Sequence, residues 1–356
     1  MKWETKSLGE VCEIYQPKTI SGKEMVDDGA YLVYGANGVI GRYDRYNHEE
    51  PQLLITCRGA TCGAVNVSTP KVWITGNAMV VRPKNGGLDM RFLEYLFRGG
   101  VDLSKTITGA AQPQITRQAL SPLEISYPNS LPEQQRIVGK LDAAFAALSA
   151  AVGLVERNRA NARELFESYL NGVFERKGDG WVEKQLTDVA RIRTGKVDAN
   201  HQAGDGKYAF YTCAFGQFKS PTWSFEGPSV ILPGNGANVG VTFFYDGRFE
   251  AYQRTYVVNE FGAEVNPRYA YFCFRAGWKP YIATRQFGSA TNYIVLGDLK
   301  QFPVHLPSLK EQAILLGEFE EMEQHVLELE TTYQQKLSDL DALKKGLLGA
   351  AFRGEL

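Results

Sequence analysis

The sequence predicts an α+β fold in which two similar mixed α/β domains are separated by two long helices that form an antiparallel coiled coil. Three observations lead to this prediction. The length of 356 residues suits two or three domains, an internal repeat divides the chain into similar halves, and each half ends in a heptad pattern. The halves would then be related by a pseudo-twofold axis. The predicted boundaries are 1–129 for the first domain, 130–177 for the first helix, 178–307 for the second domain and 308–356 for the second helix.

The internal repeat consists of segments that recur at an offset of about 178 residues. Each copy opens on a Trp, Lys, Leu, Val pattern and later carries a glycine turn directly after a short apolar run, which is typical of a buried strand. A short helix, predicted from its apolar spacing, follows. The matching segments are 3–11 and 181–189, 58–63 and 235–240, 90–97 and 267–274, and, more loosely, 108–115 and 287–294.

The long helices are predicted from their first residues and from their periodicity. Ser130 with Glu133, and Ser308 with Glu311, form capping boxes, whose side chains satisfy backbone donors that a helix start leaves unpaired. Apolar residues then recur every seven positions for about five repeats, as in a coiled coil. The alternative is that two ordinary surface helices carry this pattern by chance. The predicted seam comprises Ile137, Leu141, Leu148, Val155, Asn158, Leu165, Leu315, Phe319, Met322, Val326, Leu329, Lys336, Leu340 and Leu343.

The two strongly polar members of this seam occupy equivalent positions in the repeat. Asn158 and Lys336 are separated by the repeat offset, and a polar seam residue lowers stability while it fixes register and partner orientation. Because a whole domain lies between the two helices, an antiparallel pair is the simplest arrangement.

Composition excludes several classes of protein. A chain with 44% hydrophobic residues is not disordered. Five cysteines without a CxxC pair, and an N-terminus without the apolar core of a signal peptide, predict a reduced, cytoplasmic protein. The most apolar window, Leu141 to Val155, is too short and too rich in alanine to span a bilayer. We therefore expect no membrane role.

The net charge of −1 at first argues against a nucleic-acid partner, since DNA-binding proteins usually carry excess Lys and Arg. By segment, the charge is +1 over 1–130, 0 over 131–176, +3 over 177–307 and −5 over 308–356. The neutral total therefore hides two mildly basic domains and one acidic helix. The acidic run from Glu318 to Glu330 is either a solvated helix face or a partner surface.

Catalytic motifs are missing from the sequence. There is no GxxxxGK[ST] phosphate loop, and the glycines of 234–240 have the wrong spacing for a dinucleotide fingerprint. The four histidines are scattered, which disfavours a zinc site. Acid-x-Lys triplets occur at chance level for a nuclease, and neither an Asn-Pro-Pro-Tyr nor an Asp-Pro-Pro-Tyr tetrapeptide, the amino-methyltransferase signature, occurs. The sequence therefore predicts a non-catalytic binding protein with no metal and no cofactor in this chain.

Polar residues in the predicted loops indicate what is bound. Arg and Lys can contact guanine or phosphate, and Asn and Gln match the adenine edge, so these side chains suit the major groove of DNA. The alternative is that they are ordinary solvated loop residues. The predicted DNA contacts are Lys18, Lys23, Asn37, Arg42, Arg58, Thr61, Asn77, Thr108, Gln112 and Gln114 in the first domain, and Lys196, Asn200, Lys207, Gln217, Lys219, Asn235, Asn238, Arg254, Arg285, Gln286 and Asn292 in the second.

The two copies differ most in their loops. Scaffold positions match, whereas the loop 37–42 differs in sequence from the corresponding loop 214–219. Two similar frames with different loops are expected to read two different half-sites.

The chain resembles the specificity subunit of type I restriction-modification systems along essentially its whole length. The resemblance lies in the order of four features: the Trp…Leu-Gly-Glu-Val opening at 3–11, the Glu-Gln helix starts at 131–137 and 309–314, and the ending Phe-Arg-Gly-Glu-Leu at 352–356. In one departure, Lys310 and Ala313 stand in the second helix start where the first has Pro132 and Arg136. The two helix starts are thus not expected to present identical surfaces to a partner.

This resemblance implies two target recognition domains, each reading one part of a split, asymmetric DNA site. It also implies docking of two methyltransferase (modification) subunits, which carry S-adenosylmethionine and methylate adenine, and of restriction (motor-nuclease) subunits. The helix pair would act as a ruler, so that inserting about four residues, roughly 6 Å of helix, lengthens the unread spacer by about one or two base pairs.

Two other functions remain open at this point. The chain could be an interaction scaffold that binds protein or carbohydrate, for which the aromatic residues Trp223, Phe225, Tyr252 and Tyr256 could be cited. It could also be a DNA enzyme with an unrecognised active site. The balanced charge fits a reader that relies on its partners for non-specific affinity, so the isolated chain is expected to bind DNA weakly and with strong salt dependence.

Overall fold

The computed structural model describes residues 2–35, 37–84, 86–109, 112–216, 218–285 and 292–356. These residues form two units. Unit 1 comprises Met1–Val155 and Gln335–Leu356, and unit 2 comprises Glu156–Gln334. Each unit therefore contains one globular part and a segment from each of the two long helices.

Unit 1 contains, in the predicted order, the buried strand before the glycine turn, the short helix and the start of the long helix. Its strands are β1 (Trp3–Ser7), β2 (Cys12–Tyr15), β3 (Tyr31–Gly35), β4 (Gly38–Tyr43), β5 (Leu53–Thr56), β6 (Val65–Val67), β7 (Trp73–Ile74), β8 (Ala78–Pro83), β9 (Ile107–Thr108), β10 (Gln114–Ile115) and β11 (Glu124–Pro128). Its helices are α1 (Leu8–Val11), α2 (Met90–Tyr95), α3 (Arg117–Leu120) and the first part of α4 (Leu131–Arg176).

The apolar segments of unit 1 form sheets whose side chains make up its core. A four-stranded antiparallel sheet has the order β2-β8-β5-β6, and a three-stranded sheet has the order β4-β3-β7. Strand β5 is buried along its whole length, because it lies between two neighbours and carries apolar residues on both faces. Phe92 and Leu93 of α2 pack in the same core, together with Leu348 from the C-terminal helix.

Unit 2 repeats this architecture. Its strands are β12 (Val182–Gln185), β13 (Arg191–Thr194), β14 (Tyr208–Tyr211), β15 (Phe218–Ser220), β16 (Ser229–Pro233), β17 (Phe243–Tyr245), β18 (Phe249–Ala251), β19 (Thr255–Asn259) and β20 (Pro303–Leu306). Its helices are α5 (Leu186–Val189), α6 (Pro267–Ile282), α7 (Leu296–Lys300) and the first part of α8 (Leu309–Phe352). The sheet orders β13-β19-β16-β17 and β15-β14-β18 match those of unit 1 strand for strand. The predicted internal repeat is confirmed.

The long helices run antiparallel within each unit. In unit 1, Arg136 of α4 donates to the Leu356 carbonyl at 2.7 Å, while Lys344 lies over the Phe145 ring at 5.5 Å. In unit 2, α4 and α8 are joined by an ion pair between Arg163 and Glu330, and further along by the rings of Phe174 and Phe319, 5.8 Å apart. In both units, the contacted residues of α8 come earlier in the chain as the contacts move along α4 toward its C-terminus. The two helices are therefore antiparallel, as predicted.

The seam prediction is wrong for five residues. Asn158, Leu165, Leu329, Lys336 and Leu343 are all exposed, Leu165 by as much as 66%. The polar pair therefore does not lie in a buried seam. The other predicted members are buried or half-buried, namely Ile137, Leu141, Leu148, Val155, Leu315, Phe319, Met322, Val326 and Leu340.

The error has a geometric cause. Residues that recur every seven positions, such as Phe319, Val326 and Tyr333, form one of the two rows of a coiled-coil seam. The second row can lie either three or four positions further along the helix. In the middle of the two helices the structure uses the side one position after the predicted one, so that Phe166 is buried where Leu165 is exposed. The same holds for Leu337, which is half-buried beside the exposed Lys336.

Much of the acidic run on α8 is paired within unit 2. Glu318 accepts from the Tyr169 hydroxyl at 2.7 Å, and Glu330 pairs with Arg163. Glu323 pairs with Arg268 at 2.7 Å and with Arg275. These carboxylates hold the globular part of unit 2 and α4 against α8.

Two buried glutamines, which sequence reasoning missed, fasten the helix starts. Gln134 is fully buried; its Oε1 accepts from the Asp89 amide at 2.7 Å, and its Nε2 donates to the Gly87 and Pro128 carbonyls. Gln312 makes the same three bonds in unit 2, to Asn266, Glu264 and Pro307. These are the glutamines of the two Glu-Gln motifs, so the repeated motif has a structural cause.

Replacing Gln312 by methionine is expected to lower the free energy of unfolding by about 3 kcal/mol, because one buried and two partly buried backbone groups lose their partner. Gln324→Met is the matched control on the same helix, since Gln324 is exposed and its side chain donates to Glu328 of its own helix; its effect should stay within about 0.5 kcal/mol. Urea denaturation measures both, and equal effects would contradict the fastening role.

Helix α4 contains an 18-residue window with a mean hydropathy of 1.6, of which 17% is buried. By length and composition this window could cross a membrane, so the apolar stretch is longer than predicted. The helix also carries Asp142, which bonds to Arg91 at 2.7 Å and to the Tyr95 hydroxyl. Its ends contribute Leu141 to the core of unit 1 and Phe166 to the core of unit 2. We interpret α4 as a packing helix.

Candidate nucleic-acid interface

A glycine turn follows the buried strand β5 in unit 1. Gly59 and Gly63 have φ angles of +88° and +91°, a left-handed conformation that favours glycine. The Gly63 amide donates to the Thr56 carbonyl at 2.8 Å and closes the turn. As a result, Arg58 and Thr61 are exposed at the end of a rigid strand.

Two other segments meet this turn. Arg58 forms a β-bridge with Gln114, and the Gly59 amide donates to the Pro113 carbonyl at 3.1 Å. The buried Cys57 thiol donates to the Asn77 carbonyl at 3.0 Å; burial raises the pKa of this thiol, so it stays neutral. The turn cluster of unit 1, as we define it, comprises the exposed residues Arg58, Thr61, Asn77, Thr108, Gln112 and Gln114.

Gln16 belongs to this arrangement although sequence reasoning did not select it. Its Nε2 donates to the Gly76 carbonyl at 3.0 Å and to the Cys57 sulfur at 3.2 Å. A Cβ on Gly76 would lie 2.8 Å from the Pro17 carbonyl, so glycine permits this close approach. The exposed Lys18 is carried on the same segment.

Unit 2 builds the equivalent cluster on β16. The glycine turn again has positive φ angles, +86° at Gly236 and +100° at Gly240. Asn235 forms a β-bridge with Tyr293, and the Gly236 amide donates to the Asn292 carbonyl at 2.8 Å. The turn cluster of unit 2 comprises Asn235, Asn238, Arg254, Asn292 and Tyr293, of which only Tyr293 was not predicted.

Hydrogen bonds fix the cluster of unit 2 to its neighbours. The Gly234 amide donates to the Arg254 carbonyl at 2.9 Å, and the Asn238 side chain donates to the Cys213 carbonyl at 2.8 Å. The backbone of Gly195 approaches so closely that a Cβ would lie 1.8 Å from the Ala251 carbonyl oxygen. This glycine brings the exposed Lys196 toward the same edge.

The remaining predicted contacts lie elsewhere in the two units. Lys23 and Asn200 are on short 3-10 turns, and Asn37 is in the turn between β3 and β4. Lys207 directly precedes β14 and Lys219 is in β15. Gln217 and Gln286 lie outside the described residues.

Two predicted arginines have structural partners. The Arg42 guanidinium donates to the Gly29 carbonyl at 2.5 Å and to the Ala30 carbonyl at 3.3 Å. Arg285 donates to the Tyr281 carbonyl at 2.8 Å and covers the Tyr281 ring. Because these donors are engaged, both side chains are less suited to base contacts than the sequence predicts.

The chemistry of the two clusters suits hydrogen bonding to a polar polymer. They present guanidinium and amide groups on short, hydrogen-bonded turns, which restricts their positions. Within the part of the chain that the structure describes, no group of three or more His, Cys, Asp or Glu side chains is placed to hold a metal ion.

Comparison with known proteins gives one consistent result. The family model described as "Type I restriction modification DNA specificity domain" matches residues 1–152 and 178–338. The type I restriction enzyme EcoDI specificity subunit of Escherichia coli is 32% identical over 176 residues, which cover 49% of this chain and 38% of that relative. The match thus spans about two-fifths of the length of the relative.

Two solved structures share the fold. One, described as "Structural basis underlying complex assembly and conformational transition of the type I R-M system", has a TM-score of 0.78 and 17% identity, over 99% of this chain and 98% of its own. The other, the HsdS subunit from Thermoanaerobacter tengcongensis, has a TM-score of 0.58 and 19% identity, over 99% of this chain and 97% of its own.

Proposed function

The chain belongs to the family of type I restriction modification DNA specificity domains, and from this premise we propose that it reads a bipartite, asymmetric DNA target and directs partner subunits to it. Each unit reads one half-site through its turn cluster. The chain itself carries no catalytic residue, metal or cofactor in this proposal.

The observation that carries the proposal is the equivalence of the two turn clusters. Both occupy the same place on the same sheet order, yet Arg58 and Gln114 in unit 1 stand where unit 2 has Asn235 and Tyr293. Arginine pairs with the O6 and N7 atoms of guanine, whereas asparagine and glutamine pair with adenine. Two equivalent backbone arrangements that carry different side chains therefore support the reading of two different half-sites.

The partners follow from the family. We propose that two methyltransferase (modification) subunits dock on the chain and carry S-adenosylmethionine for adenine methylation, and that restriction (motor-nuclease) subunits complete the assembly. Because those subunits also contact DNA, this chain needs few basic residues of its own, in line with the net charge of −1.

Selection from a pool of random-sequence duplexes tests the proposal. The full chain is mixed with the pool, with and without a co-expressed methyltransferase subunit, and the retained DNA is sequenced. We expect a split motif to be enriched only with the methyltransferase subunit, while the chain alone retains DNA weakly and only at low salt.

The opposite results are informative. Enrichment of no motif under any condition would favour the interaction scaffold over a DNA reader. Tight, sequence-specific binding by the chain alone at physiological salt would contradict its dependence on partners.

A further inference from the structure

Unit 2 contains an aromatic cleft next to its turn cluster. Its volume is about 490 Å³, which is ample for one nucleobase. The aromatic cleft, as we define it, is lined by Tyr211, Phe218, Phe243 and Tyr245, with Lys207 and Lys219 at its rim.

The cleft lies where two sheets of unit 2 meet at their edges. Strand β15 is the edge of the three-stranded sheet and β17 is the edge of the four-stranded sheet. The Tyr211 ring is 6.0 Å from Phe243 and 5.6 Å from Tyr245, and all three rings are half-buried. The walls are therefore fixed by packing while their inner faces stay accessible.

An exposed phenylalanine stands beside the cleft. Phe215 is 64% exposed, and its ring meets Phe243 edge-on at 5.9 Å. A large apolar ring held at the surface is a feature of binding sites when it adjoins other accessible apolar groups. Phe215 thus extends the aromatic surface out of the cleft.

Hydrogen bonds join the loop of Phe215 to the turn cluster. The Cys213 carbonyl accepts from the Asn238 side chain at 2.8 Å, and the Cys213 sulfur donates to the Arg254 carbonyl at 3.2 Å. The Ala214 amide donates to Thr212 Oγ1 at 3.1 Å. A DNA segment on Asn238 and Arg254 would therefore pass next to Phe215.

Two of these rings have no counterpart in the described strand β6 of unit 1. Where unit 2 has Phe243 and Tyr245 in β17, unit 1 has Val65 and Val67 in β6. Its exposed apolar residues in the corresponding edge strand, β4, are Val39 and Ile40, at 51% and 50% exposure. The aromatic cleft is thus a property of one unit, and the other unit offers a matched control.

Aromatic walls and two lysines select a planar, anionic ligand. Aromatic rings stack on any base, and lysines contact phosphates. We propose that the aromatic cleft of unit 2 receives one unstacked nucleobase of the DNA target, stacked against Phe215 and Phe243, with Lys207 and Lys219 at the flanking phosphates. This inference rests on the proposed function.

Photocrosslinking tests the inference. The full chain is bound at low salt to a random-sequence duplex pool in which 5-iodouracil replaces thymine, irradiated, and digested with trypsin. Iodouracil crosslinks efficiently to aromatic side chains stacked on it. The tryptic peptide 208–219 contains both Tyr211 and Phe215, and we expect it to carry the main crosslink of unit 2.

Phe215→Ala is expected to reduce that crosslink by about ten-fold or more, and Ile40→Ala to leave it unchanged. Since the Phe215 ring is mostly exposed, thermal unfolding should be unaffected. Phe243→Leu, which keeps an apolar side chain but removes the ring, should reduce the crosslink as well.

Three results would overturn the inference. A crosslink in 208–219 that persists in Phe215→Ala would do so, and so would crosslinks found only outside 208–219 and 220–248, the second of which carries Phe243; both leave DNA binding by the chain intact. If no DNA is retained and no peptide is crosslinked, both the proposed function and the inference about the aromatic cleft are contradicted.

Discussion

Replacing Phe319 by alanine is expected to lower the free energy of unfolding of unit 2 by about 3–5 kcal/mol. Phe319 is fully buried, and its ring lies 5.2 Å from Phe272 of α6 and 5.8 Å from Phe174 of α4. The substitution leaves a cavity where both long helices meet the globular part of unit 2. Chemical denaturation, monitored by hydrogen exchange of the backbone amides of unit 2, measures the loss in the free energy of unfolding.

Leu327→Ala is the control on the same helix. Leu327 is 53% exposed, so its removal should cost less than about 1 kcal/mol. If both variants lose equal stability, helix propensity in α8, and not the packing of Phe319, would hold unit 2 together. If neither loses stability, the buried position of Phe319 is wrong.

Replacing Arg58 or Arg254 by alanine is expected to weaken binding to the split DNA target by about 1–3 kcal/mol, roughly 5- to 150-fold. Both arginines are exposed members of a turn cluster, and a lost bidentate base contact relaxes sequence preference at one position. Arg58→Ala should relax only one half-site and Arg254→Ala only the other. Sequencing of DNA selected by the complex with the methyltransferase subunit measures this.

Each arginine has a control at the opposite end of a strand in its own sheet. Arg82 lies in β8, away from Asn77, and pairs with Glu13 at 2.5 Å. Arg191 lies at the start of β13 and pairs with Glu260 at 3.1 Å. Alanine at either position should leave the selected motif unchanged. Loss of preference in both half-sites after a single cluster substitution would contradict independent reading by the two units.

The turn clusters could be predicted in part, because their scaffold is local in sequence. A glycine turn directly after an apolar run marks Arg58 and Asn235 without any knowledge of the fold. Arg42 and Arg285 could not be distinguished from them, since their partners are backbone carbonyls, and a carbonyl leaves no signature in the sequence. Phe215 was missed for a similar reason, because aromatic content alone does not reveal which ring is exposed.

The long helices show the same division. Their starts and ends follow from capping boxes and periodicity, and α4 runs from Leu131 to Arg176, within the predicted 130–177. The side of the seam was wrong because a heptad series fits two neighbouring faces equally well. Contacts with the rest of each unit select the face that buries Phe166 and exposes Leu165.

The sequence by itself determined the internal repeat, the α+β class, the two long helices and the residue types on the glycine turns, since periodicity, caps and glycine act over short stretches of chain. The tertiary structure alone decided which helix face is buried, that Gln134 and Gln312 fasten the helix starts, and that the loop carrying Phe215 joins the turn cluster of unit 2. These features depend on contacts between residues far apart in the chain, and a single sequence records the side chains but not which of them meet.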